Sequence, residues 1–161
     1  MDLRYKKIDD TNDAVFHLLM VDYYRDGEDR DTPLEEIDSF VQLLFGQIMS
    51  NAINGCLAYS DCDTAVGFVL WMKDRPESDF SEMPGYGTIL EIGLARQYRK
   101  HGMGKEIVRF AEEQMKNDGV DGFYVLAYGP AQDFWARCGY VNSHRSGANK
   151  LPIFMKEPAK S

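Results

Sequence analysis

A chain of 161 residues is long enough for one folded domain that buries about two thirds of its unfolded surface without metals or disulfides. Hydrophobic residues make up 44% and charged residues 27%, and no apolar run approaches the roughly 20 residues that cross a bilayer. The formal net charge of -8 argues against a nucleic-acid partner, which requires an extended cationic surface. We therefore expect a single domain over residues 1–161, with no membrane or nucleic-acid partner.

The cysteines Cys56, Cys62 and Cys138 are odd in number, and none has a Cys or His neighbour at metal-ligand spacing. This pattern argues against a disulfide framework and against a zinc site, and we expect no bound metal. Residues 1–7 contain no apolar signal-peptide core. The sequence therefore predicts a cytoplasmic protein with free thiols.

The N-terminal part of the chain predicts a strand followed by two helices. Leu3–Ile8 alternates as a strand does, and the polar residues 9–12 supply N-caps for a helix that ends near Arg25. The run Thr32-Pro33-Leu34-Glu35 predicts the N-cap, first-turn proline and capping glutamate of a second helix. Its apolar residues recur at helical spacing and indicate a buried stripe. They are Leu34, Ile37, Val41, Leu44, Phe45 and Ile48.

Two strands, a long connection and a third strand follow along the chain. Gly55–Tyr59 and Ala65–Met72 are predicted as consecutive antiparallel strands. Asp74–Pro84 is a polar connection, and Tyr86–Ala95 is the next strand. Lys105–Asn117 then has the periodicity of an amphipathic helix.

The C-terminal part predicts the remaining strands. Gly122–Tyr128 is mostly apolar and aromatic, and Gly129-Pro130 begins a short helix. Tyr140–Ser143 and Ile153–Lys156 close the sheet as a final strand pair. The chain contains no internal repeat and no low-complexity segment.

A glycine turn joins the strand that ends near Ala95 to the helix that begins near Lys105. Gly102 and Gly104 lack Cβ atoms, so a ligand can approach the main chain, and the first N–H groups of a helix have no intrahelical acceptor. The helix N-terminus favours an anion, and Arg99 adds charge together with Lys100 and Lys105. The turn therefore predicts a phosphate site, although an isolated run of basic residues is often only a solvated loop.

Two common phosphate-binding motifs fit this turn poorly. A Walker loop needs a glycine where Arg99 stands and a Ser or Thr where Glu106 stands. A dinucleotide fingerprint that starts at Gly102 would place its third glycine at Ile107. A nucleotide-binding oxidoreductase is therefore only a distant alternative.

The turn has the pattern Arg-x-x-Gly-x-Gly over residues 99–104, and the residues after it also match a known family. The chain resembles the GNAT superfamily of acyl-CoA-dependent N-acetyltransferases, whose fifth strand is similar to residues 122–128 and whose Ala-x-x-Phe-Tyr-x-x-x-Gly-Phe segment is similar to residues 131–140. The resemblance extends from about Leu3 to Lys156. It implies an α/β GNAT fold with a mixed, mostly antiparallel central sheet of about six to seven strands flanked by about four helices, splayed between the fourth and fifth strands.

The resemblance implies acetyl-CoA as the cofactor, with its diphosphate on the main-chain N–H groups of the glycine turn. Arg99 would shape that turn, and the pantetheine arm would bond to the main chain of Ile92 and Leu94 like an added strand. Gly93 lies between those two residues, where an unusual backbone angle or a bulge would admit the arm. The residues implied in diphosphate binding are Lys100, His101, Gly102, Met103, Gly104 and Lys105.

The resemblance also implies catalytic residues. Glu91 is the one ionisable side chain of its apolar strand, and family members often take their general base from a carboxylate on this strand. A structural carboxylate is the alternative for Glu91. Trp135 stands where the family has a tyrosine that protonates the leaving CoA thiolate. The indole ring can pack beside pantetheine but cannot supply that proton. Tyr128 is our substitute acid, followed by Tyr140.

The implied reaction is direct attack of a primary amine, from a small molecule or a peptide, on the thioester. The acidic residues between and within the first two helices are able to attract a cationic amine, or they form a solvated loop. A domain that binds acyl-CoA as a sensor without turnover is the alternative function, and a homodimer is left open. The acidic residues concerned are Asp26, Glu28, Asp29, Asp31, Glu35 and Glu36.

Overall fold

The structure is a computed structural model that describes residues 2–27, 29–78 and 81–158. Within these residues the chain forms seven strands and four α-helices, in the order that the sequence predicts. The elements are β1 (Arg4–Lys7), α1 (Asp13–Arg25), α2 (Leu34–Met49), β2 (Asn54–Tyr59), β3 (Ala65–Lys73), β4 (Gly87–Leu94), α3 (Met103–Asn117), β5 (Phe123–Leu126), α4 (Gln132–Arg137), β6 (Val141–Ser146) and β7 (Pro152–Lys156).

The strands form one mixed sheet in the order β1-β2-β3-β4-β5-β7-β6. β1 pairs antiparallel with β2, and β7 pairs antiparallel with both β5 and β6. β4 and β5 are parallel, and their register joins Gly87 to Phe123 and Thr88 to Tyr124. The pairing thus involves the start of β4, and the sheet is splayed between β4 and β5 as the resemblance implies.

Several predicted element boundaries differ from the structure: β6 ends at Ser146 and not at Ser143, α3 begins at Met103 and not at Lys105, and two further differences have a local reason. The capping box at Thr32 does not form: α2 begins at Leu34 after Pro33, and the Arg25 guanidinium donates to the Thr32 carbonyl at 2.7 Å. The strand predicted to reach Tyr128 ends at Leu126, because the Tyr128 carbonyl accepts the Ala131 N–H at 2.8 Å and begins a 3₁₀ turn.

The chain divides into two compact units, so the predicted single domain over residues 1–161 stays a prediction. The first unit comprises Met1–Leu70 and Glu91–Ile107, and the second comprises Trp71–Leu90 and Val108–Ser161. Among the described residues, no helix combines the length and the apolarity needed to cross a membrane.

The core of the first unit lies where α1 and α2 contact β2 and β3. The Phe16 and Phe68 rings meet edge to face, with their centroids 5.6 Å apart. Gly55 makes room for the side chains of Leu70 and Ile48, which lie 2.8 and 2.9 Å from where its Cβ would be. The fully buried apolar side chains of this unit include Ile8, Phe16, Met20, Ile37, Ile48, Leu57, Phe68 and Leu70.

In the second unit, Asp74 fastens the connection between β3 and β4. It is fully buried, and its Oδ2 accepts the Tyr124 hydroxyl at 2.7 Å and the Glu82 and Met83 N–H groups at 2.8 Å. Burial raises the pKa of the Asp74 carboxyl, but these hydrogen bonds outweigh burial and hold the pKa below its ordinary value. Residues 79 and 80 of this connection lie outside the described residues.

Candidate active site

The glycine turn leads directly into α3. Lys100 has a φ of 67° and Gly102 a φ of 80°, so the main chain bends twice in the left-handed region before the helix begins at Met103. The Glu106 N–H donates to the Gly102 carbonyl at 3.2 Å and closes the first helical turn. The N–H groups between these two residues therefore precede the intrahelical ladder, and a helix N-terminus of this kind binds anions.

The reason for glycine at position 102 is conformation and not space. A Cβ there would meet no atom within 4 Å, but the φ of 80° is one that L side chains rarely adopt. Lys100 adopts a similar φ of 67° although it has a side chain, and strain of this kind is typical of functional turns. The side chains of Lys100, His101 and Lys105 are exposed around the turn, and Gly104 is buried in the first turn of the helix.

Arg99 is held in place by the first unit's own main chain and by a carboxylate. Its Nε donates to the Leu94 carbonyl at 3.1 Å, and its Nη2 lies 3.5 Å from Asp26 Oδ2. Arg96 pairs with the other oxygen of Asp26. Asp26 is the C-cap residue of α1, so two arginines already balance the charge of a residue that the sequence suggests for attracting an amine.

Glu91 lies on β4 beside the C-terminal part of α1. Burial raises the pKa of its carboxyl from 4.5 to about 7; a hydrogen bond from the Tyr23 hydroxyl lowers this pKa, and the nearby Asp29 carboxylate raises it. Burial and the charge of Glu91 together raise the pKa of Tyr24. Glu91 is thus partly ionised near neutral pH, as a group that exchanges protons requires.

Gly93 does not have the unusual backbone angle that the sequence suggests, since its φ is not positive. Glycine is needed there because two aromatic rings cover its Cα: a Cβ would lie 2.5 Å from Phe68 Cε1 and 3.1 Å from Tyr23 Cδ2. On β3, a Cβ at Gly67 would collide with the Gly93 carbonyl oxygen. Close packing of backbone and rings therefore explains this glycine.

Ile92 and Leu94 are half-buried at the end of β4. The Leu94 carbonyl already accepts the Arg99 guanidinium, which leaves its second lone pair for any further donor. Glu91, Ile92, Leu94 and the turn 99–105 all belong to the first unit. Their roles in binding and catalysis stay predictions.

The second unit contains the aromatic residues that the sequence singles out. Trp135 is 6% exposed, and its ring meets Phe134 and Tyr140 edge to face at centroid distances of 5.1 and 5.2 Å. The Tyr140 hydroxyl donates to Glu112 Oε2 at 2.8 Å, and burial together with the Glu112 charge raises the pKa of Tyr140 strongly. Tyr128 is 40% exposed.

Lys156 completes the buried pair at Tyr140. Its Nζ lies 3.0 Å from Glu112 Oε1 and donates to the Cys138 carbonyl at 2.8 Å. Tyr140 therefore belongs to a structural cluster that joins α3 to β7, whereas Tyr128 is exposed, and the role of either tyrosine as an acid stays a prediction.

No local sequence pattern identifies Tyr23 as the partner of Glu91 or Asp26 as the partner of Arg99. Tyr23 is separated from Glu91 by most of the first unit's sequence, and no local spacing connects them. Of the suggested acidic residues, Asp29, Asp31, Glu35 and Glu36 are exposed, and Glu28 lies outside the described residues.

Solved structures with a similar fold include several acetyltransferases. The PaiA N-acetyltransferase from Thermoplasma acidophilum, in complex with coenzyme A, has a TM-score of 0.72 at 16% identity, with 98% of this chain and 100% of that chain covered. A GNAT family acetyltransferase from Brucella melitensis, in complex with acetyl-CoA, has a TM-score of 0.67 at 11% identity, with 99% and 90% covered. At these identities the likeness shows the fold alone.

A search of curated proteins gave no match. The model of the Acetyltransferase (GNAT) family matches residues 12–140, which include both the glycine turn and the segment around Trp135. This match extends over most of the chain and agrees with the sheet order and the splay between β4 and β5. The chain therefore belongs to the GNAT family of acetyltransferases.

Proposed function

We propose that this protein transfers the acetyl group of acetyl-CoA to a primary amine by direct attack. The observation that carries the proposal is the main-chain turn at Lys100–Gly102, whose positive φ angles lead into the N-terminus of α3. The family match supports the reaction class. Complexes of the Thermoplasma and Brucella proteins with coenzyme A and acetyl-CoA support the choice of cofactor.

The residues of the turn fit a diphosphate. Main-chain N–H groups of Met103, Gly104 and Lys105 precede the first helical hydrogen bond, and the helix dipole adds partial positive charge to them. Exposed Lys100 and Lys105 contribute full charges. Arg99 acts by holding the turn against Leu94 and Asp26. We assign the diphosphate to residues 99–105 and the pantetheine arm to the main chain of Ile92 and Leu94.

Bound acetyl-CoA supplies an activated acetyl thioester, and the chain must then manage the proton of the acceptor. An alkylamine with a pKa near 10 is almost entirely protonated at pH 7. The Glu91 carboxylate, with a pKa of about 7, accepts that proton directly or through water. Tyr128 is the proposed donor to the departing thiolate, and Trp135 is proposed to pack beside the cofactor.

The proposed acceptor is a primary amine on a small molecule or a peptide. The exposed carboxylates Asp29, Asp31, Glu35 and Glu36 support a cationic acceptor, because they surround the segment between α1 and α2 with negative charge. We also propose a cytoplasmic protein, in line with cysteines at positions 56, 62 and 138 that form no disulfide among the described residues.

Substitution of Gly102 tests the proposal. Gly102→Ala forces a side chain to adopt a φ of 80° at the turn, so we expect the Kd for coenzyme A to rise by at least tenfold in calorimetric titration. Gly119→Ala is a matched control: Gly119 has a φ of 76° at the other end of α3, and its Cβ would also meet no atom. It should lose similar stability and keep its affinity.

Thiol release from acetyl-CoA, measured with a panel of alkylamines, tests turnover. Turnover with at least one amine, reduced in Gly102→Ala and retained in Gly119→Ala, supports the proposal. Equal affinities for coenzyme A in both variants would contradict the assignment of the turn. Tight binding without thiol release on any amine would instead indicate a binding domain without activity.

A further inference from the structure

The two aromatic rings that cover Gly93 lie beside Glu91 on β4 and determine where one hydroxyl group is placed. Gly93 is on β4, two residues beyond Glu91 and on the same face of the strand. Its missing side chain leaves space that the rings of Phe68 and Tyr23 occupy, at 2.5 and 3.1 Å from where a Cβ would lie. Any larger residue at position 93 would have to displace one of these rings.

The ring of Tyr23 contacts two other rings, although the residue is 37% exposed. Its centroid lies 5.9 Å from that of Phe68, and the rings meet edge to face at 80°. Phe68 is 1% exposed and also packs against Phe16 of the core, so it cannot give way. Tyr24 meets Tyr23 at 87° with a centroid distance of 5.9 Å, and Tyr24 itself contacts Phe40 of α2.

The ordered ring determines where the Tyr23 hydroxyl points. That hydroxyl donates a hydrogen bond to the Glu91 carboxylate. We propose that Tyr23 is a positioning residue for Glu91. Its ring occupies the space that the missing side chain of Gly93 leaves and contacts Phe68. From this position its hydroxyl keeps the Glu91 carboxylate oriented and available in its ionised form. The consequence for catalysis rests on the proposed function, in which Glu91 accepts the proton of the amine.

The charges around Glu91 show why such a donor matters. Burial disfavours the ionised carboxylate, and the Asp29 carboxylate from the segment after α1 disfavours it further. The hydroxyl of Tyr24 on α1 experiences the negative charge of Glu91. Of the groups that shift the pKa of Glu91, the Tyr23 hydroxyl is the one that lowers it and so opposes burial and Asp29.

Tyr23→Phe removes the hydroxyl that donates to Glu91 and keeps the ring that contacts Gly93 and Phe68. We expect the pKa of Glu91 to rise from about 7 by about one pH unit, the effect of losing a hydrogen bond to a charged group. Carboxyl ¹³C NMR titration of the protein measures this pKa, and loss of one resonance in Glu91→Gln identifies the signal. Tyr24→Phe is the control, because it removes a hydroxyl from the neighbouring residue.

Gly93→Ala tests independently whether the space at Gly93 positions the Tyr23 ring. The added methyl must push aside Tyr23 or Phe68, so we expect the same rise in the pKa of Glu91 as in Tyr23→Phe, with no further rise in the double variant. Gly46→Ala on α2, where a Cβ would meet no atom, is the control for a glycine substitution. If Gly93→Ala does not fold, Tyr23→Phe alone decides the outcome.

The pH dependence of kcat/KM separates this inference from the proposed function. A parallel upward displacement of the NMR titration and the activity profile in Tyr23→Phe supports both. A displaced NMR titration with an unchanged activity profile supports the positioning role and overturns Glu91 as the base. An unchanged NMR titration in Tyr23→Phe, or equal changes in Tyr23→Phe and Tyr24→Phe, overturns the positioning role.

Discussion

Glu91 makes the stability of the folded protein depend on pH. Its pKa is raised from 4.5 to about 7 by burial, so its contribution to the free energy of unfolding is full below about pH 4.5 and is lost as pH rises through about 7. We expect Glu91→Gln to remove this loss, which amounts to roughly 3 kcal/mol. Urea unfolding of both proteins at several pH values between about 4 and 8 measures this difference in the free energy of unfolding.

Glu113→Gln is the matched control, because Glu113 is exposed on α3 and its only described ion pair is with Lys116. Its effect on stability should stay within about 0.5 kcal/mol at every pH. Parallel stability curves for wild type and Glu91→Gln would show that the Glu91 carboxylate is well solvated, and would contradict the burial on which its raised pKa depends.

For Glu91, the sequence predicts the unusual residue but not its partner. Glu91 stands out because a carboxylate in an apolar strand is unusual, and that signal is local. The partner Tyr23 comes from another element, and only the packing of α1 on β4 brings the two side chains together. The glycine at position 93 is visible in the sequence, but its reason, an aromatic ring over the strand, depends on tertiary structure.

At the scale of elements, the turn before α3 was predictable because its determinants are consecutive. The glycines, the basic residues and the helix that follows all lie within one short segment. The start of α2 was not: Thr32 has the side chain of an N-cap, but no side-chain capping bond forms and the helix begins at Leu34 after Pro33. The Thr32 carbonyl accepts the Arg25 guanidinium from the end of α1, a contact that the capping motif does not reveal.

The connection between β3 and β4 depends on the acceptor oxygen of Asp74. Asp74→Asn keeps one acceptor oxygen for the Glu82, Met83 and Tyr124 donors, but it removes the charge that strengthens these bonds and places an NH2 group in a buried position, so we expect a loss of about 2–3 kcal/mol in the free energy of unfolding. Tyr124→Phe removes a single donor and should cost about 1 kcal/mol. Chemical denaturation at pH 7 measures both values.

Acid provides a second check on Asp74. Since its pKa is lowered in the folded protein, its stabilising effect is present above the ordinary value of 3.8 and is lost as pH falls through the lowered value. The difference between wild type and Asp74→Asn should therefore shrink in acid. Equal losses for Asp74→Asn and Tyr124→Phe at pH 7 would show that the charge of Asp74 contributes little beyond the hydrogen bond to Tyr124.

For the molecule as a whole, the order of elements was predictable because each strand and helix has its own periodicity and each turn its own Gly, Pro or Asp signal. The order of strands in the sheet was not derivable from periodicity, since it places β7 between β5 and β6. The family resemblance predicted the splay between β4 and β5, and the strand order itself was not predicted. The proposed preference for a cationic acceptor would depend on charges from several elements, so its test belongs to this scale.

The net charge of -8 should favour the approach of a cationic acceptor, provided that the charge is concentrated near the site. Replacing the exposed residues Asp31, Glu35 and Glu36 with their amides should lower kcat/KM for a cationic alkylamine several-fold at low salt, and should weaken the salt dependence of kcat/KM.

The control neutralises three other exposed carboxylates, Asp10, Asp61 and Asp118, and produces the same net charge. Steady-state assays between 10 and 300 mM salt compare the two triple variants on the scale of the Debye length, about 30 Å at 10 mM. Equal effects of the two would mean that net charge alone attracts the amine and that the segment between α1 and α2 has no special role.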